Sequence, residues 1–214
     1  MTQAGPRLGV FGGAFDPPHL AHGVLAQAAI DQLELDALWV IPTGDAWHKA
    51  RPLSPAAHRL AMARLAFASM PKVVVDDRET RRVGPSYTID TLLELQGENP
   101  LADLFLIIGA DQARAFAGWH RWQEVSESAT ICVAGRDVLT SIYTPTSTPA
   151  SISTDAEYVP PSALKDRFLR LKMPSTPISA TAIRARVAQS EPISALVGEP
   201  VARYIAQHHL YSQS

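Results

Sequence analysis

Short apolar runs rich in β-branched residues alternate along the chain with longer stretches of helical periodicity. Strands are predicted at Arg7–Phe11, Leu38–Ile41, Lys72–Asp76, Leu104–Ile108, Thr130–Ala134 and Phe168–Leu171. Helices are predicted at Leu20–Leu33, Pro55–Ser69, Thr88–Gln96, a broken pair over Gln112–Glu127, Ala180–Gln189 and Glu199–His208. Such alternation is typical of a parallel sheet with helices on both faces. We therefore predict an α/β chain with a doubly wound parallel sheet.

Each predicted helix is expected to bury one apolar stripe against this sheet. In the helix over 55–69, the expected stripe is Leu60, Ala63, Leu65 and Phe67. The stretch Thr140–Pro161 is rich in Ser and Thr and holds four prolines, without a helical period. We interpret residues 137–165 as a surface excursion from a single domain over 1–214, with a small helical part over 177–214. A disordered insertion, a lid and an oligomer contact all fit this excursion.

Composition narrows the class of protein. The chain has 214 residues, of which 46% are hydrophobic and 19% charged, and its formal net charge is −2. This charge gives no reason to expect nucleic acid or an acidic membrane as a partner. Neither a leader nor an apolar stretch near ~20 residues is evident. The single cysteine, Cys132, lies in an apolar run and is predicted to be a buried strand residue in a reducing compartment. We expect a cytoplasmic protein.

The stretch that follows the first strand is the most informative one. It reads Gly-Gly-Ala-Phe-Asp-Pro-Pro-His from Gly12 to His19, and a predicted helix follows. A strand, a tight glycine turn and a helix start present backbone N–H groups to an anion. His19 and His22 lie three residues apart, so both imidazoles are expected on one face of the first helical turn. Two histidines alone do not complete a zinc site, so we predict phosphate chemistry and no protein-bound metal.

Other polar residues follow the ends of predicted strands or open helices. Ser179, Thr181 and Arg184 combine hydroxyls, a helix N-cap and a guanidinium into a second anion site. Gly12 follows the first predicted strand, Pro42 the second, Gly109 the fourth and Arg136 the fifth. Ligands of such sheets bind at the carboxyl ends of the strands, so we expect these residues around one site. Asp111 is also expected to cap the next helix.

Three of these stretches resemble a known family. His19-Leu20-Ala21-His22 resembles the (H/T)xGH signature of the nucleotidyltransferase superfamily, with alanine in place of the usual glycine. Ile178 to Arg184 resembles the ISxTxIR signature of the same superfamily. Gly84 to Leu92 closely resembles the GPSYTxDTL segment of nicotinate-nucleotide adenylyltransferases. The resemblance implies a Rossmann-like nucleotidyltransferase fold that joins ATP and nicotinate mononucleotide into nicotinate adenine dinucleotide, with release of pyrophosphate.

The resemblance also implies roles for individual residues. His19, His22, Lys49 and Arg184 would be catalytic. ATP would be bound by Gly12, Gly13, Phe15, Gly109, Asp111, Arg136, Ser179 and Thr181. Nicotinate mononucleotide would be bound by Ser86, Tyr87, Thr88, Trp119 and His120. Trp119 can stack on the pyridine ring, and N–H groups at the helix start can bind its carboxylate. Mg²⁺ is expected to arrive with ATP, held mainly by the nucleotide and water.

Other functions are weighed against this one. Within the superfamily, a nicotinamide-mononucleotide or pantetheine-phosphate adenylyltransferase is the runner-up. A non-catalytic nucleotide sensor on the same fold belongs to a different class, and the presence of both phosphate motifs argues against it. A dinucleotide-dependent oxidoreductase is disfavoured because the first turn lacks Gly-x-Gly-x-x-Gly. The sequence leaves open whether the chain forms a homo-oligomer.

Overall fold

The computed structural model of the chain describes residues 5–44, 52–135, 167–174 and 176–212. Its strands are β1 (Arg7–Gly13), β2 (Ala37–Pro42), β3 (Val73–Val75), β4 (Asp103–Gly109), β5 (Thr130–Gly135) and β6 (Phe168–Lys172). They form one sheet in the order β3-β2-β1-β4-β5-β6, and every pairing is parallel. The predicted doubly wound parallel sheet is therefore confirmed. The chain builds β1 to β3 outward in one direction and β4 to β6 in the other, so strand order reverses between β1 and β4.

Nine α-helices connect and flank the strands within the described residues. They are α1 (Leu20–Gln32), α2 (Ala56–Phe67), α3 (Arg78–Arg81), α4 (Thr88–Glu98), α5 (Ala110–Ala115), α6 (Trp122–Ser128), α7 (Ala180–Ala188), α8 (Ser194–Val197) and α9 (Glu199–Gln207). A 3₁₀ turn over Phe116–Gly118 separates α5 from α6, which accounts for the broken pair in the sequence. The single-turn helices α3 and α8 were not predicted, because four residues are too few to show a helical period.

Two apolar clusters cover the two faces of the sheet. On one face, residues of α1 and α2 such as Ala29 and Phe67 pack with Val40 of β2. On the other face, residues of α4 and α6 such as Leu92 and Val125 pack against β4. A third cluster joins α7, α8 and α9 to α2 through the buried Met62. The C-terminal helices therefore pack on α2 rather than directly on the sheet.

The position of α2 explains a wrong expectation about its buried face. Ala63 and Phe67 are buried as predicted, but Leu65 is 37% exposed and Leu60 is only half-buried. Arg59 and Met62, which are 2% and 0% exposed, are buried instead. Because α2 is covered by the sheet on one side and by the C-terminal helices on another, its buried surface differs from a single stripe facing the sheet.

Cys132 lies in β5 with 0% exposure, as predicted from its apolar run. Burial raises the pKa of its thiol to about 12. A thiol with such a high pKa is not ionised near neutral pH and does not act as a nucleophile. Within the described residues, no helix combines the length and the apolar character needed to cross a membrane.

Candidate active site

The turn after β1 leaves an open surface at the carboxyl end of the sheet. A side chain at Gly12 would meet nothing within 4 Å, whereas a Cβ at Gly13 would lie 3.1 Å from the ring of Phe15. Phe15 has a left-handed backbone, with φ of 48°, and its ring is 2% exposed. The ring makes an edge contact with His22, with the centroids 5.1 Å apart. The buried side chain of Phe15 therefore packs against His22.

His19 and His22 stack on each other at the start of α1. Their ring centroids are 3.8 Å apart and the rings are inclined by 27°. The backbone N–H of His19, the N-cap residue, donates to Nδ1 of His22 over 3.0 Å. Because Nδ1 accepts this hydrogen bond, the neutral ring of His22 carries its proton on Nε2. The predicted sharing of one helix face by the two imidazoles is confirmed.

Both imidazoles are neutral in the free protein at neutral pH. Burial and then the neighbouring His19 lower the pKa of His22 to about 3. Burial lowers the pKa of His19 to about 4. Among the described residues, Nδ1 of His19 is buried without a hydrogen-bond partner. Both rings are therefore partly shielded from water, and a hydrogen bond from either ring to a ligand is stronger there than in bulk water.

The second phosphate motif reaches the first one directly. Nη1 of Arg184, on α7, donates to the main-chain oxygen of Asp16 over 2.7 Å. Nη2 of the same guanidinium donates to Oγ1 of Thr181 over 3.1 Å. Ser179 is the N-cap of α7, as predicted, and its Oγ accepts from the backbone N–H of Ala182. The guanidinium therefore bridges the two signatures although they lie far apart in the sequence.

A buried carboxylate lies within the first motif. Asp16 is 3% exposed, and its Oδ2 accepts from the backbone N–H of Ser54 over 3.2 Å. Its Oδ1 accepts from the hydroxyl of Tyr211 over 2.6 Å. Neither Asp16 nor Tyr211 was predicted to have a role in the site. The buried partners of an aspartate cannot be read from the motif, because they come from distant segments.

Arg59 fixes the same region from α2. Its guanidinium donates to three main-chain oxygens, namely those of Ser54, Ala14 and Gly44, over 2.8, 3.0 and 3.1 Å. The three carbonyls satisfy most of the donors of this arginine, which explains its burial in an otherwise apolar helix face. Arg59 thereby joins the loop after β1 to the loop after β2. It was missed because a buried arginine has no distinguishing signal in the helical pattern.

Two of the residues predicted to bind the mononucleotide acceptor, Tyr87 and His120, meet at the start of α4. The rings of Tyr87 and His120 lie 4.2 Å apart, centroid to centroid. Trp119 is half-buried and contacts Phe116, with centroids 5.4 Å apart. Trp122 packs edge-on against the same Phe116. Tyr87, Trp119 and Trp122 all border the apolar cluster under α4 and α6.

α4 begins at Thr88, as predicted. Tyr87 is the N-cap residue, and no side chain of the described residues accepts a capping hydrogen bond there. Oγ of Ser86 donates to the main-chain oxygen of Glu79 over 3.5 Å. The first N–H groups of α4 remain available for an anionic ligand.

Glu79 underlies this acceptor region and was not predicted. It is 7% exposed, and its Oε1 accepts from the hydroxyl of Thr91 over 2.8 Å. Burial raises the pKa of its carboxyl above the ordinary value. A side chain on Gly44 would collide with the main-chain oxygen of Glu79. Glu79 therefore holds α3, α4 and the loop after β2 in close contact.

The remaining candidates lie in different surroundings. Gly109 ends β4 and is the N-cap residue of α5, and a side chain there would meet nothing within 4 Å. Asp111 does not cap α5, so that expectation is wrong; it lies one residue into the helix, is exposed and pairs with Arg114. Lys49 and Arg136 lie outside the described residues. Among those described, no group of three His, Cys, Asp or Glu side chains could hold a metal ion.

The two stacked imidazoles lie at the carboxyl end of the sheet, where its strand order reverses, and Arg184 reaches the same place from a later helix. Ligands of doubly wound sheets bind at this position. The model of the cytidylyltransferase-like family matches residues 10–186. The chain belongs to this family and, within it, to the nicotinate-nucleotide adenylyltransferases. The predicted resemblance is confirmed.

Relatives match along almost the whole chain. The probable nicotinate-nucleotide adenylyltransferase of Albidiferax ferrireducens is 57% identical over 205 residues, which cover 96% of this chain and 98% of that protein. The protein of the same description from Methylibium petroleiphilum is 42% identical over 210 residues, covering 96% of this chain and 92% of the relative.

Solved structures share the fold. The nicotinic acid mononucleotide adenylyltransferase of Plasmodium falciparum complexed with APC superposes with a TM-score of 0.71 at 14% identity, covering 96% of this chain and 97% of that one. The same enzyme complexed with NaAD superposes with a TM-score of 0.71 at 16% identity and the same coverage. At such low identity, the likeness concerns the fold alone.

Proposed function

We propose that the protein transfers the adenylyl group of ATP to nicotinate mononucleotide, giving nicotinate adenine dinucleotide and pyrophosphate. One observation carries this proposal: Arg184 bonds to the main chain of Asp16 and so brings the second phosphate motif onto the histidine motif. A triphosphate held by both motifs would lie at the carboxyl ends of β1 and β4, where Gly12 and Gly109 leave open space. Ser179 and Thr181 would orient its phosphates.

The reaction needs alignment more than proton transfer. A 5′-phosphate oxygen of nicotinate mononucleotide attacks the α-phosphorus of ATP, and a new P–O bond forms. The bond between the α-phosphorus and the bridging oxygen breaks, and pyrophosphate leaves with its electron pair. Because the attacking phosphate is already an anion, no general base is required. Catalysis then depends on positioning and on stabilising the charge that develops on the phosphates.

The two imidazoles suit this task as neutral donors. His22 would donate from Nε2 to a phosphate oxygen, since its Nδ1 is occupied by the backbone of His19. The stacked His19 ring would donate to a neighbouring oxygen. Arg184, together with the predicted Lys49, would neutralise the leaving pyrophosphate. Mg²⁺ would enter as the magnesium complex of ATP, because the described residues offer no cluster of ligands for it.

The acceptor region favours an acid over an amide. The uncapped N–H groups at the start of α4 can bind a carboxylate, and Trp119 and Tyr87 offer aromatic surface to a pyridine ring. A carboxamide would direct its NH₂ donors at the N–H donors of the helix. A site built from hydrogen-bond donors rejects such a mismatched ligand strongly.

A substrate panel tests the proposed reaction. Purified protein is incubated with MgATP and one acceptor, which is nicotinate mononucleotide, nicotinamide mononucleotide or 4′-phosphopantetheine, and pyrophosphate release is measured. We expect the highest kcat/KM with nicotinate mononucleotide, by a factor on the order of 10² or more over the amide. Preference for either other acceptor would overturn the assignment, and ATP binding without turnover on any acceptor would favour the sensor function.

We further place the enzyme in the cytoplasm. Its one cysteine, Cys132, is a fully buried free thiol, as is common in a reducing compartment. Its proposed donor substrate, ATP, is also a nucleotide of that compartment.

A further inference from the structure

The loop from Ala14 to Pro18 is held by residues that belong to neither phosphate motif. Arg59 donates to the main-chain oxygen of Ala14, and Tyr211 donates to the carboxylate of Asp16. This loop leads directly into His19, and Asp16 also accepts the hydrogen bond of Arg184 through its main chain. Asp16 is therefore connected to both motifs. It lies three residues before His19 in the chain, and it is hydrogen-bonded to Arg184.

Tyr211 makes a strong hydrogen bond to this carboxylate. The distance from its hydroxyl oxygen to Oδ1 of Asp16 is 2.6 Å, within the range of charge-assisted O–H···O⁻ bonds. Burial, followed by the adjacent Asp16, raises the pKa of Tyr211, so the hydroxyl keeps its proton and remains the donor. Asp16 is 3% exposed, so little water is available to replace this partner.

The backbone at Tyr211 and two residues before it adopts an unfavourable conformation. His209 and Tyr211 have φ angles of 49° and 63°, in the left-handed region that residues with a Cβ rarely adopt. The strained turn directs the chain after α9 back toward the loop of Asp16. It also lies beyond residue 186, where the match to the family model ends.

We propose that Tyr211 is a positioning residue for adenylyl transfer, acting through Asp16 on His19 and Arg184. This inference rests on the proposed function. The hydroxyl of Tyr211 holds the Asp16 carboxylate in place. The carboxylate in turn holds the loop that leads into His19, and the main chain of the same loop accepts the hydrogen bond of Arg184. Without the hydroxyl, the loop that positions both His19 and Arg184 is held less firmly. Because a misplacement of ~1 Å can cost up to ~10² in rate, kcat is the sensitive quantity.

The chain offers a matched control on α9, the helix that precedes Tyr211. Tyr204 of α9 bonds through its hydroxyl to Nδ1 of His58 over 3.0 Å, on the interface with α2. Replacing Tyr204 by Phe deletes the same group, also from a half-buried tyrosine, without touching the Asp16 loop. A purely structural role for Tyr211 would make the two variants behave alike in turnover.

The experiment compares Tyr211→Phe with Tyr204→Phe. We expect kcat for ATP plus nicotinate mononucleotide to fall about tenfold in Tyr211→Phe, while KM for the mononucleotide changes less than about threefold. Tyr204→Phe is expected to keep the wild-type kcat, even if thermal unfolding shows that both variants lose similar stability. Unchanged kcat in Tyr211→Phe, or an equal fall in Tyr204→Phe, would overturn the inference.

A double-variant cycle tests the route through Asp16. Asparagine at this position keeps the shape but offers one acceptor oxygen to the two donors, Ser54 N–H and Tyr211 O–H. If Tyr211 acts through Asp16, Tyr211→Phe will reduce kcat much less in the Asp16→Asn background than in the wild type. Fully multiplicative effects would contradict this route. Wild-type turnover, measured in the same assay, separates failure of the proposed reaction from failure of this inference.

Discussion

At the residue scale, the site depends on imidazoles that are uncharged before substrate binds. Burial holds the pKa of His22 at about 3 and that of His19 at about 4, so neither ring contributes a positive charge at neutral pH. In the proposed site, their contribution to phosphate binding would therefore be directional. The stacking of the rings and the bond from His19 N–H to His22 Nδ1 fix the ring orientations, and so which nitrogen would point at a phosphate. Positive charge would come from Arg184 instead.

Removal of one of these donors should affect turnover much more than folding. We expect His22→Ala to lower kcat by ~10²–10³, the typical loss for one preorganised donor at a developing charge. The circular dichroism spectrum should remain that of the wild type. His208→Ala is the control, because His208 is an exposed histidine at the end of α9. Near-wild-type turnover of His22→Ala would refute the role assigned to the imidazole.

At the scale of elements, the pattern of the sequence predicted the strands and long helices closely. β1 and β4 extend only one or two residues beyond their predicted ends, since apolar β-rich runs followed by glycine mark buried strands well. Asp111 shows the limit of such reasoning. It was expected to cap α5, yet the N-cap residue is Gly109. A shift of one or two residues in a helix start decides which side chain can cap, and the sequence does not fix that shift.

The start of α7 combines capping with a free hydroxyl proton. Oγ of Ser179 accepts from the N–H of Ala182, so its own hydrogen remains available to a phosphate. We expect Ser179→Asp to keep the cap and the unfolding temperature but to raise KM for ATP on the order of tenfold, because the new charge repels the triphosphate. Ser194→Asp adds the same charge to the first turn of α8 and should leave KM unchanged. Equal KM values for the two variants would argue against a phosphate at Ser179.

At the scale of the whole molecule, the site is assembled from contacts that no local pattern reveals. The family signatures identified His19 and Arg184, but not that Arg184 would bond to Asp16 itself. Arg59 and Tyr211 escaped prediction because their partners are main-chain oxygens and a buried carboxylate from remote segments. Such contacts depend on how α2 and α9 pack together, which is a property of the folded chain and not of either segment.

The depressed histidine pKa values couple folding to pH. Between the ordinary value of 6.5 and the native values of about 4 and about 3, the unfolded chain binds protons that the folded protein does not. The free energy of unfolding should therefore fall as the pH drops from about 7.5 to about 5, as measured by urea denaturation. A His19→Gln, His22→Gln double variant should lose less stability over this range.

The buried Glu79 acts in the opposite sense. Because the pKa of its carboxyl is raised, the folded protein binds this proton at a higher pH than the unfolded chain, whose glutamate has the ordinary pKa of 4.5. This proton uptake stabilises the folded protein as the pH falls. Glu79 is present in both proteins, so the difference between the double variant and the wild type in their loss of unfolding free energy reports on the histidines alone. An identical loss of stability in both proteins would show that the two imidazoles are not the cause.

The bond between Asp16 and Tyr211 joins positions 195 residues apart. During synthesis on the ribosome, the histidine motif emerges early and can enter the first strands long before this tyrosine has been translated. The loop that carries the motif gains this anchor only after Tyr211 has been translated. A growing chain would therefore carry both histidines before their loop is fixed, and newly made protein would be expected to reach its full turnover only after the turn around Tyr211 has closed.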